Sequence, residues 1–231
     1  MGGWNLEGRT VLITGGTHGI GLACAEEFKS LGAEVTVVSR EQGFDVTKAI
    51  DRKKIKDSLT SLDILVNNVG MNISRPTGDF TTEDIAHLLD ANFISTLELT
   101  RVLYPLLKSS GNGSIINIAS LAGSIDLGTG SVYASAKAAV IQLTRSLAAE
   151  YAADNIRVNS VSPWYTETRR TEEKLSDNAF KERLLDATPL HRIAKPAEIA
   201  SVVAFLAMDK SAYITGQDII VDGGVSAARM I

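Results

Sequence analysis

The chain has 231 residues, 45% of them hydrophobic, and 23 Lys and Arg against 27 Asp and Glu give a formal charge of -4 at pH 7. That is enough chain for one domain with a sizeable core, and a mildly acidic balance gives no electrostatic reason to expect a nucleic-acid or anionic-membrane partner. A lone cysteine, Cys24, cannot form an internal disulfide, three scattered histidines suggest no metal cluster, and no apolar run is long enough to span a bilayer.

Apolar runs and helical patterns alternate along the chain. TVLITGG (10–16) is a short apolar run closed by glycines and reads as a buried strand. HGIGLACAEEFKSLGA (18–33) follows as an amphipathic helix that stops near Gly32, and EVTVVSR (34–40) is a second strand. Residues 41–61 have room for one short helix capped by Thr47, with GFDV (43–46) as a short extra strand; the basic run DRKKIKD within it is acid-flanked and reads as a solvated helical face. LDILVNNVG (62–70) is a strand, and residues 83–110 form a long helix in which Pro105 predicts a bend or break. GSIINIAS (113–120), IRVNSVSP (156–163) and GQDIIVDGG (216–224) are further strands; helices are expected from Ser131 to about Ala153 and from Pro196. Residues 164–192 are rich in charge and are expected to form a lid over a substrate, with Thr168, Phe180, Leu184 and Leu185 on its inner face and Met71, Asn72 and Ile73 opposite. Strands apolar nearly throughout, separated by helices, predict an α/β fold: a Rossmann-type doubly wound parallel sheet, one domain over 1–231, shortened between its second and fourth strands.

Three groups of residues carry chemistry. TGGTHGIG (14–21) joins the first strand to the first helix. Glycines there let a ligand approach the backbone, and the helix start offers unpaired N–H groups to a pyrophosphate. No Walker lysine and hydroxyl follow, which argues against an ATPase. The second strand ends in Ser39-Arg40 where an NAD site usually has a carboxylate; a hydroxyl, a guanidinium and nearby His18 favour a 2'-phosphate, hence NADP(H), with NAD(H) an alternative. Tyr133 and Lys137 lie four residues apart on one helix face, among small residues. A phenol has an ordinary pKa near 10, and a neighbouring ammonium is expected to lower it.

Together these pieces resemble the short-chain dehydrogenase/reductase family: TGGTHGIG, NNVG (67–70), Asn92 in DANF, Ser120 ending IINIAS, YASAK (133–137) and YITGQDIIVDGG (213–224) occur in family order over nearly the whole chain. SLAAEYAADNIRVNSVSP and SAYITGQ look most like the plant tropinone-reductase-like group, with bacterial 3-oxoacyl-carrier-protein reductases as a rival. The resemblance implies a catalytic set of Asn92, Ser120, Tyr133 and Lys137. It implies cofactor contacts at Gly15, Thr17, His18, Gly19, Ile20 and Gly21 in the turn, and at Ser39, Arg40, Asp45, Val46, Asn67 and Gly70 on the adenosine side. Near the nicotinamide it implies Tyr133, Lys137, Pro163, Thr166 and Thr168. Ser120, Tyr133, Trp164 and Tyr165 are expected to meet the substrate, a small cyclic or alicyclic ketone or its alcohol; a 3-oxoacyl thioester, or a non-catalytic dinucleotide-binding scaffold, is the alternative. The family also implies a homodimer or homotetramer, and an opening that lacks the layout of a signal peptide predicts a cytoplasmic location. The chain departs from the family pattern in its short 41–61 segment, in NNVG, and in Trp164 after Pro163.

Overall fold

The structure, a computed structural model, describes residues 3–227. Its centre is a six-stranded, all-parallel sheet formed by β1 (Thr10–Thr14), β2 (Glu34–Val38), β3 (Ile64–Asn67), β4 (Gly113–Ile118), β5 (Ile156–Pro163) and β6 (Asp218–Val221). The strands lie in the order β2-β1-β3-β4-β5-β6. The helices are α1 (Gly19–Ser30), α2 (Ala49–Ser58), α3 (Thr82–Leu89), α4 (Ser95–Ser109), α5 (Ser131–Tyr151), α6 (Arg169–Ser176), α7 (Asn178–Ala187) and α8 (Pro196–Ala207).

Alternation along the strands divides the core into two layers. Val11 and Ile13 pack with Cys24 and Phe28 of α1 and Val203 and Leu206 of α8. Leu12, between them, faces Ile55 of α2, Leu103 and Leu107 of α4, and Leu147 of α5. Both faces of the sheet are therefore covered, which explains why the strands read as continuous apolar runs. Cys24 is fully buried, and burial pushes its thiol up to about 12, so it serves as a small hydrophobe. At the end of α1 the Gly32 N–H bonds the Lys29 carbonyl and the Ala33 N–H the Phe28 carbonyl, both at 3.0 Å, with Gly32 at φ +88°. This pair of bonds ends the helix where the sequence places its stop.

From β2 the chain crosses back over β1 to β3, then builds outward in the other direction. The carboxyl ends of β1 and β3 part at this reversal and leave a crevice.

Four local expectations change. GFDV is not a strand: Arg40–Gln42 form a 3-10 turn, Gly43 takes φ +82°, and β2 is the edge of the sheet. Nor does Thr47 cap α2, whose N-cap is Lys48. The Thr47 hydroxyl and N–H are already bound to the Asp45 carboxylate, at 2.7 and 3.1 Å. The long helix is also not broken at Pro105, which α4 absorbs; its irregularity is a π-helical turn at Asp90–Ile94, between α3 and α4. The helix of Tyr133 ends at Tyr151, followed by a 3-10 turn at Ala152–Asp154.

The shortened segment is held from below. Asp51 accepts the Asp45 N–H at 3.2 Å. Buried Arg52 donates to the Val46 and Thr47 carbonyls at 2.7 and 2.8 Å, with Glu98 at 3.7 Å. An Arg52→Met substitution strips those carbonyls of their donor and is expected to cost about 2 kcal/mol. Urea denaturation measures this; an unchanged midpoint would show that the staple is dispensable.

Candidate active site

A cleft of about 590 Å³ opens at the parting of β1 and β3. One wall is the glycine turn, where Gly15, Thr17, His18, Gly19 and Ile20 face the cavity. Gly19 sits at φ +53°, and a Cβ there would lie 3.1 Å from Cγ2 of Thr168, which closes over the turn from the lid. A Cβ at Gly21 would run into the Gly15 carbonyl; Gly21 itself is buried under the turn. The His18 side chain does not cap α1, and the first turn of that helix has no acidic residue. Its N–H groups stay available to an anion, so the cradle fits a dinucleotide's phosphates.

The adenosine end is built from Ser39, Arg40, Glu41, Asp45 and Val46. The Arg40 guanidinium lies 3.2 Å from the Asp45 carboxylate, and His18 lies 3.7 Å from Glu41. Burial alone would raise the Asp45 pKa, but its Thr47 hydrogen bonds and the Arg40 charge outweigh that and hold it below the usual range. The two side chains that could receive a 2'-phosphate, Arg40 and His18, thus each lie beside a carboxylate.

At the other end Ser120, Tyr133 and Lys137 line the same cleft. Ser120 follows β4, and its Oγ accepts the Ala122 N–H at 3.2 Å, leaving its proton to donate elsewhere. Lys137 is 3% exposed; its Nζ donates to the Ile118 carbonyl at 2.8 Å and sits 5.8 Å from the centre of the Tyr133 ring. Burial, reinforced by the charge of Arg170, brings the Lys137 pKa down to about 7. Tyr133 moves oppositely to expectation. Burial raises its pKa above the ordinary value, and the Ser120 hydroxyl and the Arg170 charge only partly offset that. Lys137 Nζ donates to Ile118 and lies over the ring face, and burial sets the direction of the Tyr133 shift in this arrangement.

Asn92 sits behind the cleft, fully buried in the π-helical turn. Its Oδ1 accepts the Met71 N–H at 3.1 Å, and its Nδ2 donates to the Met71 and Leu88 carbonyls at 2.9 and 2.8 Å. It ties the segment after β3 to the long helix, beside Gly70, where an added Cβ would lie 3.2 Å from the Lys137 Nζ.

Asn67 does not face the cleft. It is the last residue of β3, and its side chain turns into the core to donate to Thr100 and Asn117 at 3.1 and 2.9 Å. Its neighbour Asn68 takes the wall instead, donating to the Thr14 and Gly15 carbonyls at 3.0 and 3.1 Å, while Thr14 Oγ1 accepts the Asn68 N–H at 3.0 Å. The doublet was the signal for both residues.

The lid contains two helices, α6 and α7. Thr168 caps α6, with its N–H bonded to Thr171 Oγ1 at 3.0 Å, and Thr166 anchors the approach through a parallel bridge to Ala194. Pro163, Trp164, Tyr165, Thr166 and Thr168 reach the cleft, as do Met71 and Asn72. Phe180, Leu184, Leu185 and Ile73 do not line it: Phe180 stacks edge-on against Tyr165, and Leu184 is buried beneath the lid. Trp164 also turns away at its polar end, donating from Nε1 to Thr188 at 3.2 Å. Sequence gave no warning of Thr129 or Arg170. Among the described residues Thr129 Oγ1 and Asn72 Oδ1 are buried without hydrogen-bond partners, and both residues line the cleft that Tyr133 also lines.

A glycine cradle for phosphates at one end and a serine–tyrosine–lysine group at the other, in one crevice of a doubly wound sheet, define a dinucleotide-dependent oxidoreductase site. Residues 44–226 match the family model described as enoyl-(acyl carrier protein) reductase. A tropinone reductase homolog of Arabidopsis thaliana is 42% identical over 96% of this chain and 93% of its own length. Senescence-associated protein 13 of the same plant is 40% identical over 96% of this chain and 92% of its own. Among solved structures, a protein from Agrobacterium tumefaciens assigned as a 2-deoxy-d-gluconate 3-dehydrogenase, with bound NADP, is 32% identical over 97% of this chain and 99% of that one, with a TM-score of 0.90. The ligand-free aldohexose dehydrogenase of Thermoplasma acidophilum is 29% identical over 98% of this chain and 97% of that one, also at a TM-score of 0.90. The chain belongs to the short-chain dehydrogenase/reductase family.

The buried lysine makes a stability prediction. The folded-state pKa of about 7 lies below the unfolded value near 10.5, so the unfolded chain holds more protons between them. The penalty for burying Lys137 is full below about pH 7 and fades as pH rises toward the unfolded pKa. Lys137→Met should therefore raise the melting temperature, and by more at neutral than at strongly alkaline pH. Equal gains at both would contradict the burial of a cation.

Proposed function

We propose that the protein is an NADP(H)-dependent carbonyl reductase that interconverts a ketone and a secondary alcohol, with a small cyclic or alicyclic ketone as substrate. The observation that carries this reading is the placement of Ser120, Tyr133 and Lys137 at one end of the crevice whose other end is the glycine cradle. The reduced dinucleotide, when bound, supplies the hydride. Tyr133 gives its phenolic proton to the carbonyl oxygen, and Ser120 donates its free O–H to the same oxygen as negative charge develops there. Lys137 keeps protons beyond the one given to Ile118 and would hold the nicotinamide ribose. Thr166 and Thr168 would flank the nicotinamide from the lid, and Trp164 and Tyr165, packed edge to face at 4.9 Å, offer a wall for an alicyclic ring.

The raised pKa of Tyr133 favours the neutral phenol, the form that reduction needs. Oxidation of the alcohol needs the phenolate, so its rate should climb toward higher pH than that of reduction. Arg40 and Ser39, with His18 beside them, support NADP(H) over NAD(H). A homodimer or homotetramer assembled through α4 and α5, in the cytoplasm, belongs to the same proposal. The alternative is a reductase of 3-oxoacyl thioesters, while the family model's description names enoyl thioesters; NADPH oxidation with cyclic ketones, 3-oxoacyl thioesters and 2-enoyl thioesters separates these readings.

Tyr133→Phe is expected to lower kcat by about 10²–10⁴-fold while NADPH still binds; comparable kcat in that variant would defeat the assignment. For the cofactor, Arg40→Ala should raise the Kd of NADPH about tenfold or more and that of NADH little, through loss of a charge-assisted contact. Fluorescence titration reads both, and a parallel loss for the two would remove Arg40 from the 2'-phosphate site.

A further inference from the structure

Helix α6 of the lid brings three cations to the cleft, Arg169, Arg170 and Lys174. None of them joins an ion pair among the described residues. Arg170 reaches across the opening and donates to the Gly70 carbonyl beyond the end of β3. Its charge is felt at both Tyr133 and Lys137. The acids that line the cleft, Glu41 and Asp45, stand at the adenosine end and face His18 and Arg40. The catalytic end therefore gathers several positive groups with no carboxylate among its lining residues. A guanidinium whose one hydrogen-bond partner among the described residues is a neutral carbonyl, near a second cation, lacks the anion it binds best.

Resting on the carbonyl-reductase reading, we propose that the ketone carries a carboxylate and that Arg170 is the specificity-determining residue that binds it. On substrate entry the guanidinium exchanges the Gly70 carbonyl for the carboxylate, gripping it through two parallel N–H groups. The ring then lies toward Trp164 and Tyr165, with the ketone oxygen at Ser120 and Tyr133. The dinucleotide's phosphates are a less suitable partner, because the glycine turn and the start of α1 already supply their donors. Arg169 and Lys174 add a positive field at the mouth that draws an anionic substrate in.

The test compares 4-oxocyclohexanecarboxylate with its methyl ester, a neutral ketone of nearly the same shape, through NADPH oxidation. In the unmodified protein kcat/KM should favour the carboxylate by about tenfold to a hundredfold. In Arg170→Leu that preference should collapse toward unity, and in Arg170→Lys part of it should return. Equal use of acid and ester by the unmodified protein would overturn the proposal. So would a loss of NADPH affinity in Arg170→Leu as large as the loss of preference, because the anion would then be the cofactor's. If neither compound is reduced, binding of cyclohexanecarboxylate to the NADP-loaded protein, read by tryptophan fluorescence, still decides. Saturable binding that Arg170→Leu abolishes keeps the anion site and removes the reductase reading; no binding removes the site as well.

Discussion

Lys137 places an amine in the interior of the protein with, among the described residues, a single backbone carbonyl, that of Ile118, as its hydrogen-bond partner. The position is costly, because burial disfavours the charge and Arg170 adds repulsion. It is imposed by the architecture. α5 lies against β4 and β5, its buried residues Lys137, Val140, Ile141, Thr144, Leu147 and Ala148 forming one stripe, and the first of these reaches the open end of the sheet. Such a buried, unsatisfied cation is what a ribose and an anionic ligand can relieve, so the energy stored against the fold becomes binding energy for the cofactor.

The adenosine end shows how a short segment is held in place. With β2 at the sheet edge, no further strand among the described residues fixes the loop that carries Asp45 and Val46. α2 does so from beneath: Asp51 takes the Asp45 N–H, Arg52 the Val46 and Thr47 carbonyls, and Asp45 orients Arg40. The acid-flanked run that includes these two residues reads in sequence as a solvated face. Arg52 and Asp51 are instead buried, and the remaining lysines of α2 keep to its outer side.

The strands were readable because a parallel sheet buried on both faces leaves a continuous apolar run, and Tyr133 and Lys137 because residues four apart share a helix face. What could not be read depended on orientation or on distant partners. Two adjacent asparagines look equivalent in a string of letters, yet Asn67 still belongs to the strand and points into the core, while Asn68 follows it and faces the cleft. GFDV has the alternation of a strand, but Gly43 takes a left-handed turn and Asp45 binds Thr47. The lid helices α6 and α7 are too polar to show a clear apolar stripe, and their caps, Thr168 and Asp177, are the local marks they left. The Arg170–Gly70 contact joins residues a hundred positions apart, and no local pattern announces it.

A nicotinamide dinucleotide that enters this crevice presents its nicotinamide ribose to a lysine held partly neutral. Calorimetric titration of NADPH near pH 8, repeated in buffers of different ionisation enthalpy, counts the protons exchanged on binding. Proton uptake by the unmodified protein that disappears in Lys137→Met is the expected result, because an incoming anion raises the depressed lysine pKa. Tight binding with the same proton count in both proteins would contradict it.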